Sequence, residues 1–284
     1  MQTHIPVLAK EVLNGLNLSS GDTILDATLG LGGHATLILN EVGKTGRLIG
    51  FDKDVRNLEI AQKALSGFDN VTYVHDSFGN IEQRELQHID SALFDLGISS
   101  PHVDDPSRGF SFRNEGPLDM RYDQTQDLTA ETIVNSWSQE ELEDLFRIYG
   151  EEPRAREIAK TITHARRKNR ILTTAALASL VEGVVRRSGR LHPATRIFQA
   201  LRMEVNDELG EIERGIPAVV NLLKSGGRIA VISFHSLEDR LVKQLFKTNS
   251  ALNIITKKVI QASFEEKRSN PRARSAKLRV AEKQ

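Results

Sequence analysis

The chain of 284 residues contains no cysteine. That excludes disulfides, thiolate-ligated zinc and thiol nucleophiles, and it suits a cytoplasmic setting. Long hydrophobic runs are missing as well. No stretch approaches the roughly 20 consecutive apolar residues that span a bilayer, so no membrane partner is expected. The opening Met1-Gln-Thr-His-Ile-Pro6 has neither a basic n-region nor an apolar h-region, and no export signal is expected. No two histidines stand at metal-ligand spacing with a carboxylate, which argues against zinc or iron. Repeats and low-complexity tracts are absent. Net charge is absent too, because 38 Lys+Arg balance 38 Asp+Glu.

That neutrality hides blocks of opposite sign. Glu115 to Glu152 carries eleven acids against two arginines. Pro153 to Met203 carries twelve Lys+Arg against two Glu, and Thr256 to Gln284 nine against three. The two basic blocks are candidate polyanion surfaces, set against the plainer alternative of solvated helix faces. With 39% apolar and 27% charged residues, the rest reads as an ordinary globular protein of one large or two modest domains.

The chain is organised around Thr23-Ile-Leu-Asp26-Ala-Thr-Leu-Gly30-Leu-Gly32-Gly33-His34. A short apolar run ends in an acid, breaks into a glycine-rich turn and opens onto a helix. In that order, backbone can approach a nucleotide-like ligand where a Cβ would collide. A second apolar run, Arg47 to Phe51, leads into Asp52, about 20 residues on, where an acid accepts hydrogen bonds from ribose hydroxyls. Gly30-Leu-Gly32-Gly33-His34-Ala35 also satisfies a loose dinucleotide fingerprint, so NAD stays open. S-adenosylmethionine has no pyrophosphate to lay on the helix N-terminus. It offers an ammonium instead, which suits Asp26 and favours a methyltransferase.

Strands at 23–26, 47–51, 71–74 and Ile89–Asp95 alternate with helices near 34–42, 54–66 and 78–87, after an N-terminal helix starting near Pro6. Such alternation predicts a parallel sheet covered on both faces. Asp26, Asp52, Asp76 to Phe78, and Asp95 all fall at strand carboxyl ends, where such sheets bind ligands. Val103 to Asp127, rich in Asp, Gly, Pro and Arg, reads as a long functional loop. Helical signals follow. Ser138-Gln-Glu-Glu141 is a capping box, Pro153 and Pro193 open helices, and Thr173 or Thr174 caps another. The sheet then resumes with a helix near 207–223, a turn at Ser225-Gly-Gly227 and a strand at 228–234. His235 either faces substrate or caps the next helix. Ile254 to Ile260 and Ala276 to Val280 supply a closing antiparallel edge pair. The expected domains are 1–103 with 206–284, and an inserted helical 104–205.

If the methyl acceptor is an aromatic exocyclic amine, oxygen acceptors around the NH₂ localise its lone pair. Ser99 and Ser100 are candidates, against the alternative that they only shape a turn. His34 and His102 read as ligand-contacting or loop-ordering. Phe78 stacks on adenine or belongs to the core. His164-Ala-Arg-Arg-Lys-Asn-Arg170 and Arg186-Arg187 suit phosphate contacts.

Several blocks together resemble one family. They are Asp26-Ala-Thr-Leu-Gly-Leu-Gly-Gly-His34, Asp95-Leu-Gly-Ile-Ser-Ser-Pro-His102, Arg108-Gly-Phe-Ser-Phe112, Gly116-Pro-Leu-Asp-Met-Arg121, Phe234-His-Ser-Leu-Glu-Asp-Arg240 and Asn270-Pro-Arg-Ala-Arg-Ser-Ala-Lys-Leu-Arg279. The chain is similar, from His4 almost to its end, to the bacterial small-subunit (16S) ribosomal RNA cytosine-N4 methyltransferases. The resemblance implies an α/β class I S-adenosylmethionine-dependent fold, Rossmann-like, with a mostly parallel seven-stranded sheet and an inserted all-helical domain. It implies methylation of the N4 amine of a cytidine in the decoding region, with the small ribosomal subunit and its RNA as partners. By motif position, cofactor contacts fall on Gly32, Gly33, His34, Asp52, Phe78, Asp95 and His102, with no metal. Many relatives carry glutamine in place of His102. Ser-Ser-Pro-His also replaces the Asp/Asn-Pro-Pro-aromatic motif of other amino-methyltransferases, so amine-holding groups do not carry over from those. The competing readings are an NAD-dependent oxidoreductase, a non-catalytic RNA-binding factor, and a protein or DNA methyltransferase.

Overall fold

The computed structural model describes residues 6–185 and 192–284. They form two compact units, Met1–Gly97 with Leu209–Gln284, and Ile98–Glu208. In chain order the first unit opens with α1 (Ala9–Leu16), β1 (Thr23–Asp26), α2 (Gly33–Val42), β2 (Arg47–Asp52), α3 (Val55–Ala64), β3 (Val71–His75) and β4 (Ile89–Asp95). The second unit holds α4 (Ser100–Asp104), α5 (Ala130–Ser136), α6 (Gln139–Ile148), α7 (Ala155–Ala165), α8 (Thr174–Val184) and α9 (Thr195–Val205). The first unit resumes within α10 (Glu208–Leu222) and continues with β5 (Leu223–Ser233), α11 (Ser236–Thr248), β6 (Leu252–Ile254), β7 (Ile260–Gln261), α12 (Phe264–Ser269) and β8 (Lys277–Lys283).

The strands make one sheet in the order β3-β2-β1-β4-β5-β8-β6, with the two-residue β7 paired to β8 off that path. Strands β1 to β5 are mutually parallel, and β8 is antiparallel to its neighbours. This is the Rossmann-like α/β sheet expected, closed by an antiparallel pair at one edge, with eight strands in place of seven because the strand expected over 254–260 is split into β6 and β7. The last strand is the inner member of that pair. It inserts between β5 and β6, so Leu278, Val280 and Ala281 are fully buried.

Alternation along each strand sorts the core onto two faces. Ile24, Leu93, Ala230 and Ile232 pack with α1 and α2 through Val12, Leu16, Ile38 and Leu39. Leu25, Ala92, Phe94, Ile229 and Val231 pack on the opposite face with Ile212, Val219, Val242 and Phe246 of α10 and α11. Two further expectations change. The helix expected over 78–87 is only a short 3₁₀ turn, Phe78–Gln83. The turn expected at Ser225-Gly-Gly227 sits inside β5 as an irregularity, where pairing with β4 jumps from Leu223 to Arg228 and Gly226 takes φ +80°.

The helical unit packs around Ile133, Leu142, Phe146, Ile158, Ile162, Leu177, Val181 and Leu201. Its caps follow from local chemistry. Ser138 and Glu141 close a reciprocal capping box, and Thr173 accepts from the Ala176 N–H. Pro153 and Pro193 each precede a helix by two residues, α7 and α9. Among the described residues no helix is long and apolar enough to cross a membrane.

Candidate active site

In the first unit the sheet order reverses at β1, which lies between β2 and β4. Carboxyl ends beside such a switch point are where open α/β sheets bind ligands. Asp26 pairs with Gly50 on one side and Leu93 on the other, so Asp26, Asp52 and Asp95 end three adjacent strands, the outer two acids sharing a level two residues beyond Asp26. Gly30 (φ +54°) and Gly32 (φ +82°) adopt the left-handed conformation that carries the chain from β1 into α2. A Cβ on Gly32 would press to 3.2 Å from Leu65 Cγ.

The acids hold this turn from both sides. Asp52 Oδ2 accepts the Gly30 N–H (2.9 Å) and its Oδ1 accepts the Asp54 N–H (2.8 Å), with Asn57 Nδ2 at 3.3 Å from each oxygen. Asp26 Oδ1 accepts the Thr28 N–H (3.1 Å). The Thr28 hydroxyl in turn accepts the Asp95 N–H (2.6 Å). His34, in the first turn of α2 and 7% exposed, places Nε2 3.8 Å from Asp95 Oδ2. The other oxygen, Asp95 Oδ1, is buried and has no hydrogen-bond partner among the described residues.

Burial dominates the electrostatics. It pushes Asp26 up to about 7, against the Thr28 N–H and with added repulsion from Asp52. Asp52 likewise rises to about 7, mainly by burial, although the Asp54 and Gly30 N–H groups favour its charge. Asp95 rises to about 8, by burial and then by repulsion from Asp26 and Glu238. Three carboxylates so placed want a cation and hydroxyl donors. A pyrophosphate at the same turn would meet their repulsion instead. Helix α2 contributes the N–H groups of its first turn, which helix geometry leaves without intrahelical acceptors.

Phe78 starts the 3₁₀ turn after β3. Its ring packs edge-on against Phe94 (5.3 Å, 84°), yet the residue stays partly exposed, so it belongs to the core on one side only. The Asp76 carboxylate fixes that turn through Asn80 Nδ2 (2.8 Å), the Ser77 N–H (2.7 Å) and Arg84. Gly215 of α10 lies so close that a Cβ there would meet the Phe78 ring at 2.6 Å. Two further groups are not among the candidates drawn from the sequence. Lys53, next to Asp52, bonds buried Glu211 of α10 at 2.6 Å. Glu238, 1% exposed, accepts the Phe234 N–H (2.7 Å). No short-range pattern announces the first, since 158 positions separate its partners. For Glu238, the spacing from His235 was a readable capping signal. His235 is indeed the N-cap of α11, with Nδ1 accepting from the Glu238 N–H.

In the second unit Ser99 is the N-cap of α4, and its Oγ lies 3.0 Å from His102 Nδ1. His102 is 3% exposed and lies 4.9 Å from both Phe110 and Tyr122, rings that stack on each other. Ser100 Oγ is buried without a hydrogen-bond partner among the described residues. The loop after α4 has little regular structure but is firmly tied. Buried Arg108 reaches the Arg121 and Tyr122 carbonyls, while Asn206 holds the Met120 carbonyl and the Tyr122 N–H. Arg121 grips Asp119 through Nε and Nη2 at 2.9 and 2.8 Å.

Much of the basic stretch 164–170 serves the fold. Arg166 donates to the Val134 and Trp137 carbonyls at the end of α5, and Arg170 pairs with Glu131. Arg167 and Lys168 remain exposed. Arg186 and Arg187 lie outside the described residues.

Comparison with known proteins gives the same direction. The chain is 45% identical over 308 aligned positions to "Ribosomal RNA small subunit methyltransferase H" of Halothermothrix orenii, covering 100% of this chain and 99% of that protein. It is 49% identical to the protein of the same name from Cyanothece sp., covering 99% and 94%. Among solved structures it resembles PH0851 at a TM-score of 0.50 and 13% identity, covering 97% of this chain and 45% of that one, a likeness of fold alone. A glycine turn flanked by strand-end acids, relatives matched end to end, and a family match over residues 1–284 agree: the chain belongs to the MraW methylase family.

Proposed function

We propose that the protein transfers a methyl group from S-adenosylmethionine to the exocyclic N4 amine of a cytidine in the decoding region of small-subunit ribosomal RNA. It is an S-adenosylmethionine-dependent ribosomal RNA methyltransferase, as its family and its full-length relatives indicate. The single observation that supports this cofactor best is the trio Asp26, Asp52 and Asp95 around the glycine turn, each raised in pKa chiefly by burial. Those residues fit a cationic nucleoside. Asp52 would accept from the ribose hydroxyls, Asp26 would hold the ammonium, and Phe78 would pack on the adenine. Gly32, Gly33 and His34 open α2 toward the α-carboxylate. Asp95 and His102 complete the cofactor set, His102 by holding the Ser99 turn in shape. When bound, the cofactor supplies a methyl group activated on a sulfonium.

The rest is orientation. Ser99 and Ser100 are assigned to the cytidine amine, where an oxygen acceptor pulls the nitrogen lone pair out of ring conjugation. Ser100 Oγ is the better of the two, because the fold gives it no other partner among the described residues. The helical unit supplies RNA contacts through exposed cations such as Arg167 and Lys168, which position without reading sequence. The setting is cytoplasmic, with the small ribosomal subunit as partner.

The test offers labelled S-adenosylmethionine with naked ribosomal RNA, small subunits and bulk protein in parallel, followed by nucleoside mass analysis. N4-methylcytidine from ribosomal substrate, lost in Asp52→Ala, is the expected result. Label in protein, or at another atom of the base, would defeat the reading.

A further inference from the structure

The segment linking β6 to β8 serves no step above, yet it joins an exposed aromatic to several exposed cations. Its placement follows from register. Gln261 pairs with Lys277, and Lys277 pairs with Ser233 at the carboxyl end of β5. The intervening residues 262–276 therefore cap the same sheet edge that carries Asp26, Asp52 and Asp95. The cap is anchored. Ala262, Ala273 and Ala276 are buried in the core beside Val7 and Leu8, and the Glu266 carboxylate accepts the Leu8 N–H at 2.7 Å. Ser263 caps α12 through the Glu266 N–H.

On this fixed frame Phe264 is 76% exposed, the most exposed large apolar side chain described. Lys267 and Arg268 follow at the i+3 and i+4 positions of α12, on the face that Phe264 presents. Lys257 and Lys258 stand exposed just before β7. The contrast with the adjoining strand is informative. There Lys277 and Arg279 share Asp239, and Arg228 pairs with Glu282. Lys257, Lys258, Lys267 and Arg268 make no ion pair among the described residues. The cations of the strand are committed to the fold, as is Arg274 of the cap, which donates to the Lys267 carbonyl; these four are not paired with any acid among the described residues.

We propose that this cap is an RNA-docking surface on the sheet unit, on which an unpaired base stacks on Phe264 while Lys257, Lys258 and Arg268 meet the flanking phosphates. It rests on the reading of the substrate as RNA, and it adds a contact independent of the helical unit. An exposed aromatic with cations on its own helix, and two more on the far side of β7, is an arrangement that binds single strands with little sequence preference. An apolar protein partner would have less use for the surrounding positive charge.

The experiment uses the full chain, with a labelled single-stranded oligoribonucleotide and small subunits as probes and S-adenosylhomocysteine affinity as the control. Phe264→Ala should weaken oligoribonucleotide binding by about tenfold and raise the KM for subunits, with cofactor affinity and kcat unchanged. Phe264→Trp should restore both. The triple variant Lys257→Gln, Lys258→Gln, Arg268→Gln should flatten the salt dependence of binding by about 2 in log–log slope. Wild-type RNA binding in both the Ala and the triple variants overturns the proposal. So does weakened subunit binding with unchanged oligoribonucleotide binding, which would place a protein on the cap, or a change in self-association alone. Failure of the wild type to methylate ribosomal RNA would instead sink the proposed reaction, since the binding arm reads the surface directly.

Discussion

Cofactor binding should release protons, and the amount follows from the three strand-end acids. Asp26 and Asp52 sit at about 7 and Asp95 at about 8 without a ligand, all raised chiefly by burial. An ammonium and ribose hydroxyls favour the ionised carboxylates, so the ligand binds the deprotonated site. If Asp26 and Asp52 must both ionise, the apparent Kd rises roughly thirtyfold from pH 7 to pH 6 and roughly a hundredfold over the next unit down. About two protons should leave per ligand at pH 6, about three if Asp95 also ionises. Titration calorimetry with S-adenosylhomocysteine, in buffers of different ionisation enthalpy, counts them, and Asp52→Asn should remove one. The same acids act on stability with the opposite sign to an ion-paired carboxylate. A folded pKa raised above the ordinary 3.8 means the folded state keeps a proton that the unfolded chain gives up. The stability so gained is complete below about pH 4 and is lost as pH rises through 7 to 8. The rise in Tm on adding S-adenosylhomocysteine should therefore be larger at pH 8 than at pH 6. A Kd flat between pH 6 and 7, with no buffer-dependent heat, would refute the assignment of these acids to the cofactor.

Other expectations rest on single contacts. Gly32→Ala puts a side chain into the left-handed region beside Leu65, at a cost of about 1–2 kcal/mol, and should lower Tm by several degrees while weakening cofactor binding. Arg166→Ala removes charge-assisted bonds to the Val134 and Trp137 carbonyls, worth about 1.5–3 kcal/mol each at most, and should show in thermal melts. Neutralising exposed Arg167 and Lys168 together should do the reverse, leaving Tm unchanged while reducing the salt slope of RNA binding. Asn206→Ala strands the Met120 carbonyl and the Tyr122 N–H, and should loosen the loop after α4, seen as faster amide exchange over 105–127. Retained protection there would mean that Arg108 and Arg121 suffice.

What was legible in the sequence is what short-range chemistry determines. The passage from β1 through Gly30 and Gly32 into α2 is a local event, and so is each acid ending an apolar strand. Asp26, Asp52 and Asp95 could therefore be named before any fold was known. Capping is equally local, as Ser138 with Glu141 and His235 with Glu238 demonstrate. Contacts between distant positions have no such signature. Nothing in the neighbourhood of Lys53 points to Glu211, and nothing in the Asp/Gly-rich loop points to Asn206, which ties it down from beyond α9. Strand order is hidden for the same reason. The alternation of Leu278, Val280 and their neighbours announces a strand, but its position between β5 and β6 depends on pairing that composition does not encode. Charge counts mislead most. By composition the run 164–170 suits phosphate contacts, yet Arg166 and Arg170 are committed to the fold, whereas Lys257, Lys258, Lys267 and Arg268 make no ion pair among the described residues. A basic block becomes a binding surface only after its structural cations have been set aside, and that subtraction can be made only with the partners in view.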